Sequence, residues 1–542
     1  MARLQHGPMA AVIRDGALGA VTCAGVEVLR GLTYPVRNPD WGTHLTVTEA
    51  EEVGGATYLR RFADAGGSFT GEFRATLHPD RIEADVSFAF RRAARVNRAG
   101  FTLLHPIRGV GGSALSIRHP DGRRTKTVFP ALVSPAQPAR DIAGLRHRIG
   151  GVDVEITMEG DVFEMEDQRN WSDASFKTYC RPLALPFPFD VPAGATIRQR
   201  VTLTARADAV AAGDGGDHAP QVARLPQVLL AHEAGLSDLA ALAAFPAIPV
   251  LFRLTAATPD ADLRGVAGRG GTALEIVFRD LPDLAALAGR AKAAGVDPVR
   301  VVALPEPYLK SHQPEGPWPD GAQPADAIPP LRAAFPRAAI GGGSLTNFTE
   351  LNRCRPDPAT VDFVTFGNTA IVHAADDLSV WQTLEALPDI LATARAIAAG
   401  KPLHLGLLSI GMRSNPYGAA VAANPARQRL PMAMEDPRQG TGFAAAYAVA
   451  LLARAAVAGV DSLALAMPAG PLGAQGPLAD VLRAAAALAG RAVQVTDAGG
   501  IVTLSAGDIL LAANCTPDPA PPPRAGLPPL PPESALVHLP RK

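Results

Sequence analysis

Few features of this sequence mark a chemistry at a glance. It has four cysteines, Cys23, Cys180, Cys354 and Cys515. They lie far apart with no CxxC or other close metal spacing, so they read as reduced thiols and not as a disulfide framework. Neither HxH nor HExxH gathers the dispersed histidines, so no metal-hydrolase ligand set is written into the chain and no metal or cofactor is expected. Without GxSxG there is no nucleophile elbow for a Ser-His-Asp hydrolase. Nor does a GxGxxG follow a strand where a dinucleotide fold would need it. Charge of either sign is in no excess: 51 Lys and Arg stand against 52 Asp and Glu. That balance argues against nucleic-acid or anionic-membrane partners, which need a clustered positive field. The most apolar stretches, such as Ala444 to Val460, are too short or too interrupted to span a bilayer. MARLQHGPMAAVIRDG at the start has no signal-peptide core. A soluble, cytoplasmic protein is expected, and the oligomeric state is not legible.

What is present reads as globular protein. The chain is 47% hydrophobic and 19% charged over 542 residues, enough for two or three domains. Up to about residue 208, short apolar alternations such as Val26 to Leu29, His44 to Val47 and Arg81 to Phe88 are broken by Gly, Asp, Asn and Pro. With no amphipathic helix between them they predict an antiparallel β-sandwich over 1–208. Ala209 to His218 (AVAAGDGGDH) reads as a linker. The rhythm then changes. Apolar strands from Val228 to Ala466 alternate with helical stretches, which predicts a (β/α)8 TIM-like barrel over 220–490 with its active site at the strands' C-terminal ends. Residues 491–542 read as a small β unit and a proline-rich tail, Pro517 to Pro532, to which no function is assigned. The fold class is therefore α/β multidomain.

One stretch stands out. Phe163 to Cys180 reads FEMEDQRNWSDASFKTYC, with charged and amide side chains set among aromatic ones. A solvated loop seldom carries so many rings, and a core strand does not tolerate so many charges. A polar network packed against rings in a cleft fits this composition, as does a domain interface held by buried ion pairs. Within the barrel, strand ends lead to Glu306 between two prolines, to Glu350 and Asn352, to His373 and to Arg413 with Asn415. Two glutamates on adjacent strand ends suit general acid/base hydrolysis, or hydroxyl binding or structural roles. His373 fits an acid, or a residue that starts a helix. Arg413 and Asn415 fit a carbonyl ligand or surface caps. His232 and Glu233, after the first strand, are weaker candidates. A retaining glycosidase needs a second carboxylate, and in the commonest barrel families it follows the seventh strand. Ser409 to Tyr417 contains none.

The long motif, together with Gly100 to Pro106 and Val372 to Asp377, resembles the D-apionate lactonase family of bacterial sugar catabolism. The resemblance covers most of the chain. It implies hydrolysis of the cyclic ester of D-apionolactone to D-apionate, with a small sugar lactone as partner. On that basis Glu306 is expected as general base and Glu350 or His373 as acid, with Asn352 and Arg413 as oxyanion and hydroxyl ligands. Asp167, Arg169, Asn170, Trp171, Asp173 and Lys177 are expected to bind the polyhydroxylated substrate if their segment reaches the barrel mouth. A glycoside hydrolase on the same barrel, or a non-catalytic sugar-acid-binding protein, are the alternatives.

Overall fold

The computed structural model describes residues 2–208 and 218–539. Of the expected linker only His218 is described, and it opens a strand; the rest lies outside the described residues. Two compact units result: Met1–Gln168 with Ala174–Gly215, and Arg169–Asp173 with Gly216–Lys542. The five-residue excursion 169–173 thus belongs with the second unit although the chain on either side of it belongs to the first.

The first unit is antiparallel β-structure. An eight-stranded sheet runs from Arg3–His6 through Thr102–Pro106, Ser175–Cys180 and Phe163–Asp167 to Ala139–Ile142, and a nine-stranded sheet runs from Arg124–Val128 to Thr46–Val53. Alternation decides their faces: Arg81–Phe90 reads iBiBiBiBeB in burial, the period of two that puts every second side chain in the core. Phe62, Phe69, Phe88 and Phe90 are buried there and meet in edge-on and tilted ring contacts, the geometry that aromatic quadrupoles favour.

The same period accounts for the mixed composition of the motif. Phe163–Asp167 and Ser175–Cys180 pair as an antiparallel hairpin with Glu166 opposite Lys177 and Glu164 opposite Tyr179. One face therefore carries Glu164, Glu166, Lys177 and Tyr179. The other carries buried Phe163, Met165, Phe176 and Cys180.

In the second unit, eight parallel strands follow in order: β1 (Gln227–Glu233), β2 (Val250–Leu254), β3 (Ala273–Phe278), β4 (Arg300–Pro305), β5 (Ala339–Gly343), β6 (Phe363–Thr365), β7 (His404–Ser409) and β8 (Ser462–Ala466). Each pairs with its successor from β1 to β6. Beyond them β7 pairs with β8, and β8 with β1. The sheet curls round through a two-residue extension of β6, Asn368–Thr369, which pairs with Leu408 and Ser409, and a bridge between Val364 and Leu403. Helices α1 (Asp260–Val266), α2 (Leu281–Ala293), α3 (Ile328–Ala334), α4 (Phe348–Arg353), α5 (Asp377–Ala398), α6 (Gly442–Val457) and α7 (Gly476–Leu488) follow β2 to β8. After β1 the connection is only a 3-10 turn, Leu239–Ala244, and not the full helix that the strand–helix rhythm predicts. LAALAA has helix-forming residues, but the turn has only six of them between Asp238, whose side chain caps it, and Phe245, and so short a segment does not sustain a regular helix.

The terminal strands Ala492–Ala498, Ile501–Ala506, Ile509–Asn514 and Ser534–His538 form a five-stranded antiparallel sheet with His218–Arg224. This sheet belongs to the second unit and does not complete the N-terminal sheets. The proline-rich segment is tied down by Asn514, whose amide donates to the carbonyls of Asp518 and Pro531. No helix among the described residues is long and apolar enough to cross a membrane.

Candidate active site

Inside the parallel sheet, Leu229, Ala231, Leu251, Ala273, Leu407 and Ala464 form a buried apolar cluster with Met467 and Leu472. Two residues further along β1, β2 and β3, on the same inward face, the side chains become Glu233, Arg253 and Glu275. A charged layer at the C-terminal end of an apolar barrel interior is where this architecture places chemistry. Arg413, on the segment after β7, completes it.

The four groups are tightly joined. Arg253 donates from Nε to Glu275 Oε2 at 3.0 Å and from Nη2 to the Leu345 carbonyl at 2.7 Å. Arg413 donates from Nε to Glu233 Oε2 at 2.7 Å and from Nη1 to Glu275 Oε2 at 2.8 Å. Arg253 Nη1 stands 3.5 Å from Glu233 Oε2. The Glu275 side chain is only 3% exposed, whereas that of Glu233 is 24% exposed. Glu233 is therefore the carboxylate that solvent or a ligand reaches. Burial alone would raise its pKa, but Arg413 and Arg253 outweigh burial and hold it below the ordinary glutamate value. Arg413 Nη2 is buried and has no hydrogen-bond partner among the described residues. Arg413 also lines a small recess of about 20 Å³ with Thr346, Asn347, Asn368, Ser409 and Ser414, a set of short hydroxyl and amide groups with room for one hydroxyl-sized group.

The residues singled out from the sequence are dispersed. Glu306 is exposed at the start of a 3-10 turn after β4, with no hydrogen bond or ion pair among the described residues. Glu350 is buried in α4, and its Oε2 accepts from the Asn347 backbone at 2.9 Å and the Thr346 hydroxyl at 3.1 Å. It completes the capping box of that helix, and burial raises its pKa. Asn352 donates to Asn170 Oδ1 at 2.8 Å and accepts from Arg355 at 2.7 Å.

The excursion 169–173 is held by such bonds within the second unit. Arg169 pairs with Asp389 at 2.8 Å, the Asn170 carbonyl accepts from Thr349 at 2.6 Å, and Asp173 pairs with His373. Trp171 packs with Val372 and Met412, its ring edge-on to His373 at 5.7 Å. Asp167 and Lys177 belong to the first unit, where Asp167 accepts from the Ser134 backbone at 2.9 Å and Lys177 pairs with Glu166 at 2.8 Å. Of the residues singled out from the sequence, Arg413 and the weaker candidate Glu233 are in the charged layer.

His232, next to Glu233, faces the other way. It bonds Ser237 at 2.7 Å and stacks on Phe252, and burial lowers its pKa. Among the described residues no group of three or more His, Cys, Asp or Glu is placed to hold a metal ion. Sequence reasoning missed Arg253 and Glu275. A signal was present: LLAHE, VLFRL and ALEIVF each set a charge inside an apolar strand, and a buried charge needs a partner.

Two family models and a curated relative match this chain. Residues 1–208 match the family model "D-apionate lactonase, N-terminal domain", and residues 255–492 match "D-apionate lactonase, TIM barrel domain". A D-apionate lactonase from Brucella anthropi is 38% identical over 508 residues, covering 87% of this chain and 83% of that protein. Among solved structures, a β-arabinopyranosidase aligns at 10% identity and a TM-score of 0.28, over 96% of this chain and 91% of that one. A putative aldose 1-epimerase from Escherichia coli K12 aligns at 11% identity and a TM-score of 0.27, over 38% of this chain and 98% of that one.

Proposed function

Because the chain belongs to the D-apionate lactonase family, we propose that it opens the cyclic ester of D-apionolactone to D-apionate with the charged layer at the end of its barrel. Lactone opening needs a base for water, a donor for the developing oxyanion and a proton for the departing ring oxygen. The unpartnered Arg413 Nη2 is the observation that carries the assignment of roles. It is a charged donor with no partner among the described residues, on a side chain that lines the hydroxyl- and amide-rich recess, and it suits the lactone carbonyl oxygen.

In this reading Glu233, ionised and partly exposed, takes a proton from the attacking water as the new C–O bond forms. It returns that proton to the ring oxygen as the old C–O bond breaks. Thr346, Asn347, Asn368 and Ser409 line the recess that takes one substrate hydroxyl. Glu350 and His373 are engaged in a helix cap and in the 169–173 segment, and the proton transfers do not need them.

The test is acid release from D-apionolactone by the purified protein above the spontaneous rate, compared with Glu233→Gln and Glu306→Gln. The expected result is a loss of about 100-fold or more for Glu233→Gln, the scale of a general base, and a far smaller loss for Glu306→Gln. The reverse order would move the base to the end of β4. No release by the unaltered chain would end the lactonase reading.

A further inference from the structure

Arg413 has to hold its free nitrogen still, yet it stands on the irregular segment after β7, and a long side chain on a loop is placed accurately only if strands anchor it. Its two other donors are anchored on different strands: Nε on Glu233 of β1 and Nη1 on Glu275 of β3. Glu275 does more than accept from Arg413. The same oxygen, Oε2, takes Arg253 Nε at 3.0 Å, so one carboxylate sits between two guanidinium groups that would otherwise repel each other.

Arg253 in turn is fixed to the Leu345 carbonyl, next to Thr346 and Asn347 of the recess. Space is reserved for this bridge: a Cβ at Gly406 of β7 would stand 3.3 Å from Glu275 Oε1. With its side chain 3% exposed, Glu275 itself is out of reach of a substrate. It also contributes what a salt bridge kept only for stability need not, a fixed plane for the guanidinium that lines the recess.

We propose that Glu275 is a positioning residue for ester opening, which sets where Arg413 Nη2 stands by bridging Arg413 to Arg253. The inference rests on the roles assigned above to Arg413 and Glu233, and it adds a residue that touches neither water nor lactone.

The experiment compares the full unaltered chain with Glu275→Asp, Glu275→Gln and the double variant Glu275→Gln/Arg253→Met, measuring kcat and KM for D-apionolactone per folded protein, with thermal unfolding alongside. Glu275→Asp keeps the charge and withdraws the oxygen by one methylene, so it is expected to fold. Its kcat should fall about 10- to 100-fold, the usual effect of losing a supporting contact. Glu275→Gln leaves Arg253 buried without its counter-charge and should also lower the melting temperature. The double variant removes that unbalanced charge: its melting temperature should recover while kcat stays low. Recovery of kcat together with stability, or an unchanged kcat in Glu275→Asp, would overturn the proposal and leave Glu275 as charge balance for Arg253. Activity of the unaltered chain is read in the same series, so failure of the lactonase reading is seen separately from failure of the positioning role.

Discussion

At the scale of single residues, the proposed chemistry rests on charges that apolar strands carry to one place. Glu233 shows how their balance sets a working state. Its folded pKa lies below the ordinary glutamate value of 4.5, because two guanidinium groups favour the ionised form more than burial disfavours it. A carboxylate so depressed stays charged as pH falls from neutrality, and protonates only once the lowered pKa is passed. The acid limb of kcat/KM for D-apionolactone is therefore expected below pH 4.5. A limb between about 6 and 7, the range of an unperturbed histidine, would show that another group is the base. Each strand-borne partner has a local signature, a lone charge in an apolar run, but nothing in the sequence says that the four meet. Glu233 could be named only as a strand-end residue, and Arg253 and Glu275 lie alone in apolar runs 22 residues apart. Their conjunction exists only once β1, β2 and β3 pair in register. Glu306 looked better placed because a glutamate between two prolines is conspicuous in a sequence, yet rigidity of the backbone says nothing about which way a side chain meets its neighbours.

At the scale of elements, the strand–helix rhythm and the period of two were legible because burial on one or two faces writes them directly into the pattern of apolar residues. The alternation also explains why the motif hairpin is rich in both rings and charges. The His218–Arg224 strand was not legible, since its partner lies at Ala492–Ala498 and pairing at that separation leaves no local trace. The glycines of β5 show how tightly the elements meet. A Cβ on Gly341 would stand 2.3 Å from the Phe363 ring, and one on Gly343 would stand 2.1 Å from the Thr365 carbonyl oxygen, at a φ of +132°. Both contacts are with β6 or its immediate pairing. Gly343→Ala should accordingly cost more than about 2 kcal/mol, since it combines a backbone clash with a conformation that L side chains avoid. A melting temperature within about 1 °C of the unaltered chain, well under the shift expected from such a cost, would show that β5 and β6 separate easily.

Across the whole molecule, buried histidines couple stability to acidity. His105 and His147 in the first unit are pushed down by burial to about 3 and about 4, and His404 in the second to about 3, from the ordinary histidine value of 6.5. Each is neutral when folded and binds a proton when unfolded below 6.5. Its contribution is therefore complete above that pH and is lost as pH falls toward the folded value, at up to about 1.4 kcal/mol per pH unit. The melting temperature should decline between pH 7 and pH 5. Replacing His147, whose ring nitrogens have no partner among the described residues, by leucine should flatten that decline. A slope equal to that of the unaltered chain would remove His147 from the account.

The excursion at Arg169–Asp173 has a consequence for inheritance. The two family domains are written as separate blocks, 1–208 and 255–492, yet the first block encodes five residues that are structurally part of the second unit. A recombination event between the blocks would hand the barrel a foreign set of those residues. Chimeras between relatives are therefore expected to need compatible residues at the Asn170–Asn352 and Asp173–His373 pairs, which hold one block's residues against the other's.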